Sequence, residues 1–308
     1  MKERKKVCVN ILNYNTYEKS KKCIESCLQQ KGLNFSILLI DNCSTDDSLQ
    51  KLKDEFGNSI FYLKNKENYG YAGGNNLGVS YCNKKGYDYS FLLNSDIVLN
   101  SPLLLKYLVD VLENDDKCAI VAPMIYNVTS KGLELNCNDS QYLRMLRKVR
   151  ILPKLENLSE NLTTISEAHG SALLVKNNIF LKVGGFPEYY FMYGEESTFS
   201  KKIIWSGHKI MWCKISDMNV LHYHDKTGKV DSWRLYLMGR NRTIEYYENC
   251  NRAPLRWFCV FYCFLFIQFL KRNTYFLKGV KAAKVMHYKH STYKDYYIDG
   301  KDSIRRIK

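Results

Sequence analysis

What this 308-residue sequence lacks narrows its function before any motif is considered. No Gly-x-Gly-x-x-Gly follows the first strand-like run, so the dinucleotide cradle of a dehydrogenase has no place here. Ile11 to Thr16, which leaves that run, holds neither glycine nor a basic residue. That removes the basic Gly-rich loop of a sugar-1-phosphate nucleotidyltransferase, the nearest enzymatic alternative. The 11 cysteines form no Cys-x-x-Cys pair, and Cys8, Cys118 and Cys259 sit inside apolar runs. A reducing compartment is expected rather than a disulfide framework. Met1 to Lys6 is charged and runs straight into a short strand, with no signal-peptide core, so secretion is not expected. No internal repeat or low-complexity tract is present.

Charge is abundant and uneven. Of the net +15, residues 226–308 carry 18 Lys and Arg against 6 Asp and Glu, or +12, leaving the first 225 residues near neutral. A basic tail suits nucleic acid, anionic lipid or an anionic substrate. Its neighbourhood favours lipid: Pro254 to Leu270 is the most hydrophobic window, interrupted by Arg256 and Gln268 and followed by Lys271-Arg272, Lys278, Lys281 and Lys284. Its clean core, Trp257 to Ile267, is too short to cross a bilayer, which takes about 20 residues. A short aromatic helix with basic flanks suits a membrane interface. A helix buried against the domain is the plainer alternative.

Strands and helices alternate through the first two-thirds of the chain. Val7 to Asn13, the continuous apolar run Phe35 to Ile40, Ser59 to Leu63 and the strand ending at Asn94 read as strands, with helices between them. That order implies right-handed crossovers and an α/β fold with a mostly parallel central sheet flanked by helices. Met124 to Glu167 is polar and irregular, and is expected to be an insertion over the site. From Asp231 the chain turns helical, giving two expected domains, 1–225 and a helical extension, 226–308.

Phe91 to Asp96 is an apolar strand that ends in the acidic turn Asn94-Ser95-Asp96. A buried strand delivers its terminal carboxylate to the sheet edge, where ligands of open α/β sheets bind. A lone carboxylate there suits a hard divalent cation held mainly by substrate phosphates, or it caps the next helix. The Gly/Asn-rich stretch 68–76, with Gly73, Gly74 and Asn75, permits close backbone approach to an anion. Glu195-Glu196 opens a helix whose dipole favours ionised carboxylates, as base or as simple charge complementarity. His222 and His224 share one face of a strand, as ligands or as structural histidines.

Four ordered blocks carry a resemblance: VNILNYN at 9–15, LLIDNCSTDDS at 38–48, NYGYAGGNNLGV with FLLNSD across 68–96, and HGSALLVKNNIFLKVGGFPEYYFMYGEES at 169–197, with a weaker echo at Arg240-Asn241-Arg242. Together they resemble an inverting family 2 glycosyltransferase of GT-A (Rossmann-like) fold, in the rhamnosyltransferase-like branch that builds surface polysaccharides. The resemblance implies a UDP- or dTDP-sugar donor bound by Asn13, Tyr14, Asn15, Asp41, Asn42, Gly73, Gly74, Asn75, Asn94 and Ser95, with Asp41 accepting the pyrimidine imide N–H. It implies Mn²⁺ or Mg²⁺ on Asp96 and His222, Glu196 as the base, and Glu195 beside it. It also implies a saccharide acceptor, lipid-linked, at the cytoplasmic face of an anionic membrane, without nucleic acid. Asn94 stands where the family can carry a second acid, Thr198 where it usually carries an aspartate, and Glu196 where the acid is often shorter. A catalytically silent membrane- or nucleic-acid-binding scaffold is the alternative from another class.

Overall fold

The computed structural model describes residues 5–136, 139–223 and 232–289. Its first third alternates as expected: β1 (Val7–Asn13), α1 (Tyr17–Leu28), β2 (Phe35–Asp41), α2 (Ser48–Phe56), β3 (Phe61–Lys64), α3 (Gly70–Lys84) and β4 (Tyr89–Asn94). β3, β2, β1 and β4 lie side by side and run parallel. Val7, Val9 and Ile11 of β1 pack into a layer with Cys23, Ile24 and Cys27 of α1, while Cys8 packs on the opposite side with Cys82 of α3. Both faces are covered, which is why these strands are apolar throughout. α3 lies hard against the sheet: a Cβ on Gly74 would stand 2.6 Å from Leu12 Cδ1, and one on Gly78 2.3 Å from Ile40 Cδ1.

The chain continues through β5 (Ile97–Leu99), α4 (Leu104–Asn114), β6 (Cys118–Ala122), β7 (Met124–Thr129), β8 (Gly132–Leu135) and α5 (Gln141–Lys148). Then come β9 (Asn157–Ser159), β10 (Leu162–Thr164), β11 (Ala172–Lys176), α6 (Asn177–Lys182), α7 (Glu195–Trp205), β12 (Lys209–Cys213) and β13 (Asn219–His222). The main sheet has nine strands in the order β3-β2-β1-β4-β11-β6-β12-β10-β9. It is mixed rather than uniformly parallel, because β11 runs antiparallel to both β4 and β6. The chain reaches β11 from the carboxyl edge of β4, pairing Ala172 with Leu93. A strand that starts at that edge can only run back along its neighbour. A smaller sheet, β5-β13-β7-β8, pairs His222 with Ile97 and so sets the end of β13 beside the turn after β4.

The 124–167 segment is not irregular: it forms β7, β8, α5, β9 and β10. These strands are too short for hydrophobic periodicity to register. α5 buries Tyr142, Leu143 and Leu146 against Trp257 and Val260, so the segment seats α9 (Pro254–Leu270), the middle one of the C-terminal helices in chain order, between α8 (Ser232–Asn249) and α10 (Thr274–Lys289). α9 presents two different faces, one packed on the domain and one exposed. Trp257, Val260 and Phe261 are buried, whereas Leu255, Phe258, Tyr262, Phe266, Phe269 and Leu270 are exposed. No helix among the described residues is long and apolar enough to cross a membrane.

Candidate active site

The carboxyl ends of β1, β2 and β4, the turn before β11, the start of α7 and one face of α8 surround a single cavity of about 650 Å³. Tyr14, Asn42, Asn94, Ser95, Asp96 and His222 line it from the ends of strands; Glu195 and Glu196 line it from the end of a helix, together with Glu167, Arg234, Asn241 and Arg242.

At the first end, polar side chains tie strand-end loops together. Asn13 Nδ2 donates to Asp41 Oδ1 (2.9 Å) and lies 3.1 Å from Ser44 Oγ, while its Oδ1 accepts from Thr16 and Ser20. Asp41 is fully buried and also accepts from the Ser44 hydroxyl and backbone N–H, so its carboxylate is committed to this loop. Asn15, in the left-handed region at φ 55°, bonds Thr45 through both ends of its amide. Asn42 donates to Asn68 Oδ1 and Gly70 O and accepts from Asn65 and the Tyr69 N–H. Tyr14 is left 42% exposed at the cavity wall. Gly73, Gly74 and Asn75 lie within α3, not in a loop; they are buried, and the Asn75 amide donates to Tyr71 O. These three do not line the cavity.

Ser95 accepts from Thr16, and the Asn94 N–H donates to Ser171 O. Asp96 Oδ1 is buried and accepts no hydrogen bond, although His222 Nε2 faces it at 3.3 Å. In the tautomer that donates Nδ1–H to Asn127 Oδ1 (3.2 Å), Nε2 turns its lone pair toward that carboxylate oxygen. A buried carboxylate oxygen that accepts no hydrogen bond and an imidazole nitrogen 3.3 Å from it are ligand types that one divalent cation accepts. Among the described residues no group of three or more His, Cys, Asp or Glu could hold a metal. Asp96 and His222 alone would give a cation only part of a shell and leave the rest to other donors, such as substrate phosphates. His224 lies outside the described residues.

At the second end the carboxylates are crowded. Glu195 is 2% exposed, its Oε2 accepts no hydrogen bond, and burial together with Glu196 pushes its carboxyl well above the usual range. Burial and then the Glu167 charge raise Glu196 to about 7, against the pull of the Gly194 and Glu196 N–H groups and Arg242. The room for Glu196 is made by Gly170: a Cβ there would stand 2.5 Å from Glu196 Oε1 and 2.8 Å from Tyr71 Oη. Tyr71 Oη in turn donates to Gly170 O (2.6 Å). Beneath α7, Lys201 Nζ lies 2.6 Å from Glu245 Oε1 and Arg242 Nη1 2.8 Å from Glu245 Oε2, all three largely buried. Sequence reasoning did not single out Tyr71, Asn127, Glu167, His169, Gly170 or Arg234. The only signal for α8 was the echo at 240–242.

The family model described as Glycosyl transferase family 2 matches residues 8–181. Among curated relatives, the low-salt glycan biosynthesis hexosyltransferase Agl10 of Haloferax volcanii is 26% identical over 76% of this chain and 73% of its own length. The mannosyltransferase PcManGT from Pyrobaculum calidifontis, solved with GDP-Man and Mn²⁺, superposes with a TM-score of 0.60 at 13% identity, covering 98% of this chain and 81% of that one. GalNAc-T7, solved with UDP, GalNAc and Mn²⁺, gives 0.59 at 15% identity over 78% of this chain, which spans about half (48%) of that protein.

Proposed function

The chain belongs to glycosyl transferase family 2, and from that premise we propose that it moves a hexosyl group from a UDP- or dTDP-sugar to a saccharide hydroxyl with inversion at the anomeric carbon. The GT-A architecture and a general activity on nucleotide sugars are the firm part of this statement. The observation that carries the rest is one cavity lined both by the Asp96–His222 couple and by Glu196, a carboxylate raised to about 7.

In this reading the exposed Tyr14 ring stacks on the base, and Asn13, Asn15, Asp41 and Asn42 hold the loops that form its wall. Asp96 and His222 would hold Mn²⁺ or Mg²⁺, which with the donor's diphosphate oxygens completing its shell would neutralise charge on the leaving group. Glu196, ionised, takes the acceptor proton as the acceptor oxygen attacks C1 from the face opposite the diphosphate. The C1–oxygen bond to phosphate breaks and its electron pair leaves with the nucleoside diphosphate. A base with pKa near 7 is both populated and basic enough at neutral pH. Glu195, buried beside it, keeps the protonated form longer and limits charge in the pocket.

The acceptor is proposed to be lipid-linked, in surface-polysaccharide assembly of the rhamnosyltransferase-like kind. The exposed Leu255–Leu270 stripe of α9, bordered by exposed Arg256, Lys271, Arg272 and Lys278, suits the anionic cytoplasmic face of a membrane. The 226–308 extension would hold the enzyme there as a peripheral protein.

The test is a thermal-shift panel of UDP-, dTDP- and GDP-sugars with Mn²⁺ or Mg²⁺, since a ligand that binds the native state raises the midpoint. A metal-dependent shift with a UDP- or dTDP-sugar, lost in Asp96→Ala, supports the reading. No shift with any donor and metal would overturn it.

A further inference from the structure

The loop that delivers the carboxylate pair is built in an unfavourable shape. Phe191 sits at φ 61°, ψ −54°, closing a three-residue turn in which the Met192 N–H donates to Tyr190 O (2.7 Å). Tyr193 follows at φ 69° and Gly194 at φ 99°, and Glu195 begins α7 directly after them. Left-handed and γ-turn geometry at two bulky aromatic residues is costly and persists only where surroundings impose it.

The imposing group is on α8. Asn241 is 1% exposed, and its Nδ2 donates to Tyr193 O (2.6 Å) and Met192 O (3.0 Å) and lies 3.5 Å from Tyr190 O. Arg240 Nε donates to Asn241 Oδ1 (2.8 Å), which fixes the amide with its NH₂ toward those carbonyls. Arg240 Nη2 donates to Tyr190 O as well (2.8 Å). α8 itself is held where it is by α10. A Cβ on Gly239 would stand 2.1 Å from Phe276 O, and one on Gly279 2.0 Å from Tyr236 O and 2.8 Å from Arg240 N. The two helices therefore cross backbone to backbone at the turn that carries Arg240 and Asn241. On its other side the loop is tied to α3, through the Tyr71 N–H on Phe191 O (3.1 Å).

We propose that Asn241 is a positioning residue for Glu196: from the helical extension it holds the strained 190–194 loop in the one shape that aims the base at the acceptor. The inference rests on the reading of Glu196 as the base. It makes the extension part of the catalytic apparatus as well as an anchor. The role belongs to the two amide hydrogens, because three carbonyl oxygens converge on them and a carboxylate of identical shape would repel all three.

The experiment compares Asn241→Asp, Asn241→Ser and Glu196→Gln in the full chain, reading kcat for transfer, the dissociation constant of UDP or dTDP with Mn²⁺, and the melting midpoint. Asn241→Asp is expected to lower kcat by roughly 10²-fold, the cost of a base misplaced by about 1 Å, with nucleotide affinity unchanged. Asn241→Ser, keeping one donor, is expected to fall between it and the parent. A folded Asn241→Asp protein with kcat near the parent's, or a loss seen only as weaker nucleotide binding, would overturn the proposal. So would loss of fold in both variants, which would make the residue structural. If Glu196→Gln is active, the base assignment fails and the positioning role with it; if Glu196→Gln is inactive while Asn241→Asp is active, only the positioning role fails.

Discussion

The two groups that line the cavity, a strand end and a helix end, are built differently. At the Tyr14–Asp96 end, most polar groups are spent: Asn13, Asn15, Asp41 and Asn42 bond one another's loops, and the wall they brace carries a tyrosine ring and an Asp–His couple among its lining residues. At the Glu195–Glu196 end, carboxylates are crowded and partly unsatisfied, and the loop before them is strained. The first end is a finished hydrogen-bonded frame, apart from Asp96 Oδ1. The second stores unfavourable charge and geometry that function can use, as acid–base sites commonly do. If the first end binds the donor and the second does the chemistry, as proposed, the two are separable by mutation.

The sharpest break in that comparison is the paired test of Asp96→Ala and Glu196→Gln. Both are expected to abolish transfer, with a loss on the order of 10²–10⁴-fold for the base, but only Asp96→Ala should weaken metal-dependent nucleotide binding. Near-normal turnover in Glu196→Gln would remove the base from the second end. Gly170→Ala comes next. A methyl placed 2.5 Å from Glu196 Oε1 and 2.8 Å from Tyr71 Oη must displace both groups. Transfer should fall by roughly 10²-fold while nucleotide affinity holds; isothermal titration beside turnover checks both.

The same contrast explains what could be read in the sequence. Val7 to Asn13, Phe35 to Ile40 and the strand into Asn94 were legible because buried parallel strands are continuous apolar runs, and Asp41 and Asp96 end them. Glu195-Glu196 was visible as an acidic pair opening a helix. What stayed hidden depends on contacts between distant segments. Gly170 looks like any turn glycine until Glu196 is packed on it, and Asn241 like any helical asparagine until three carbonyls are seen against it. The glycine run at 70–74 misled in the other direction, since it opens α3 rather than forming an open loop, and Gly74 lets that helix close on Leu12 of the sheet. The direction of β11 was hidden as well, since it follows from where the preceding turn crosses the sheet edge.

The finished end should respond in stability rather than rate. Asn42→Ala removes two donated and two accepted bonds, leaving the Tyr69 N–H and Gly70 O without them. The expected cost is about 1–3 kcal/mol, seen as a lower unfolding midpoint, with kcat at saturating donor little changed. A fall in kcat with no loss of stability would mean that the first end, too, takes part in the chemical step.

The smallest expected effect is also the most specific to the crowded end. Glu196 must be ionised to accept a proton, and its pKa is raised from 4.5 to about 7. Activity should therefore climb as pH rises through about 7 and fall about tenfold for each unit below it. Burial is the larger cause of the shift and the Glu167 charge the next, with Arg242 and the Gly194 and Glu196 N–H groups opposing both. Glu167→Gln removes only the second cause, so the acid limb should move to lower pH without returning to the ordinary carboxylate range. At pH 6 the variant should outpace the parent by less than about tenfold, while above pH 8 the two should converge. A limb that stayed in place would mean that Glu167 is screened from the base, and that burial alone sets its proton affinity.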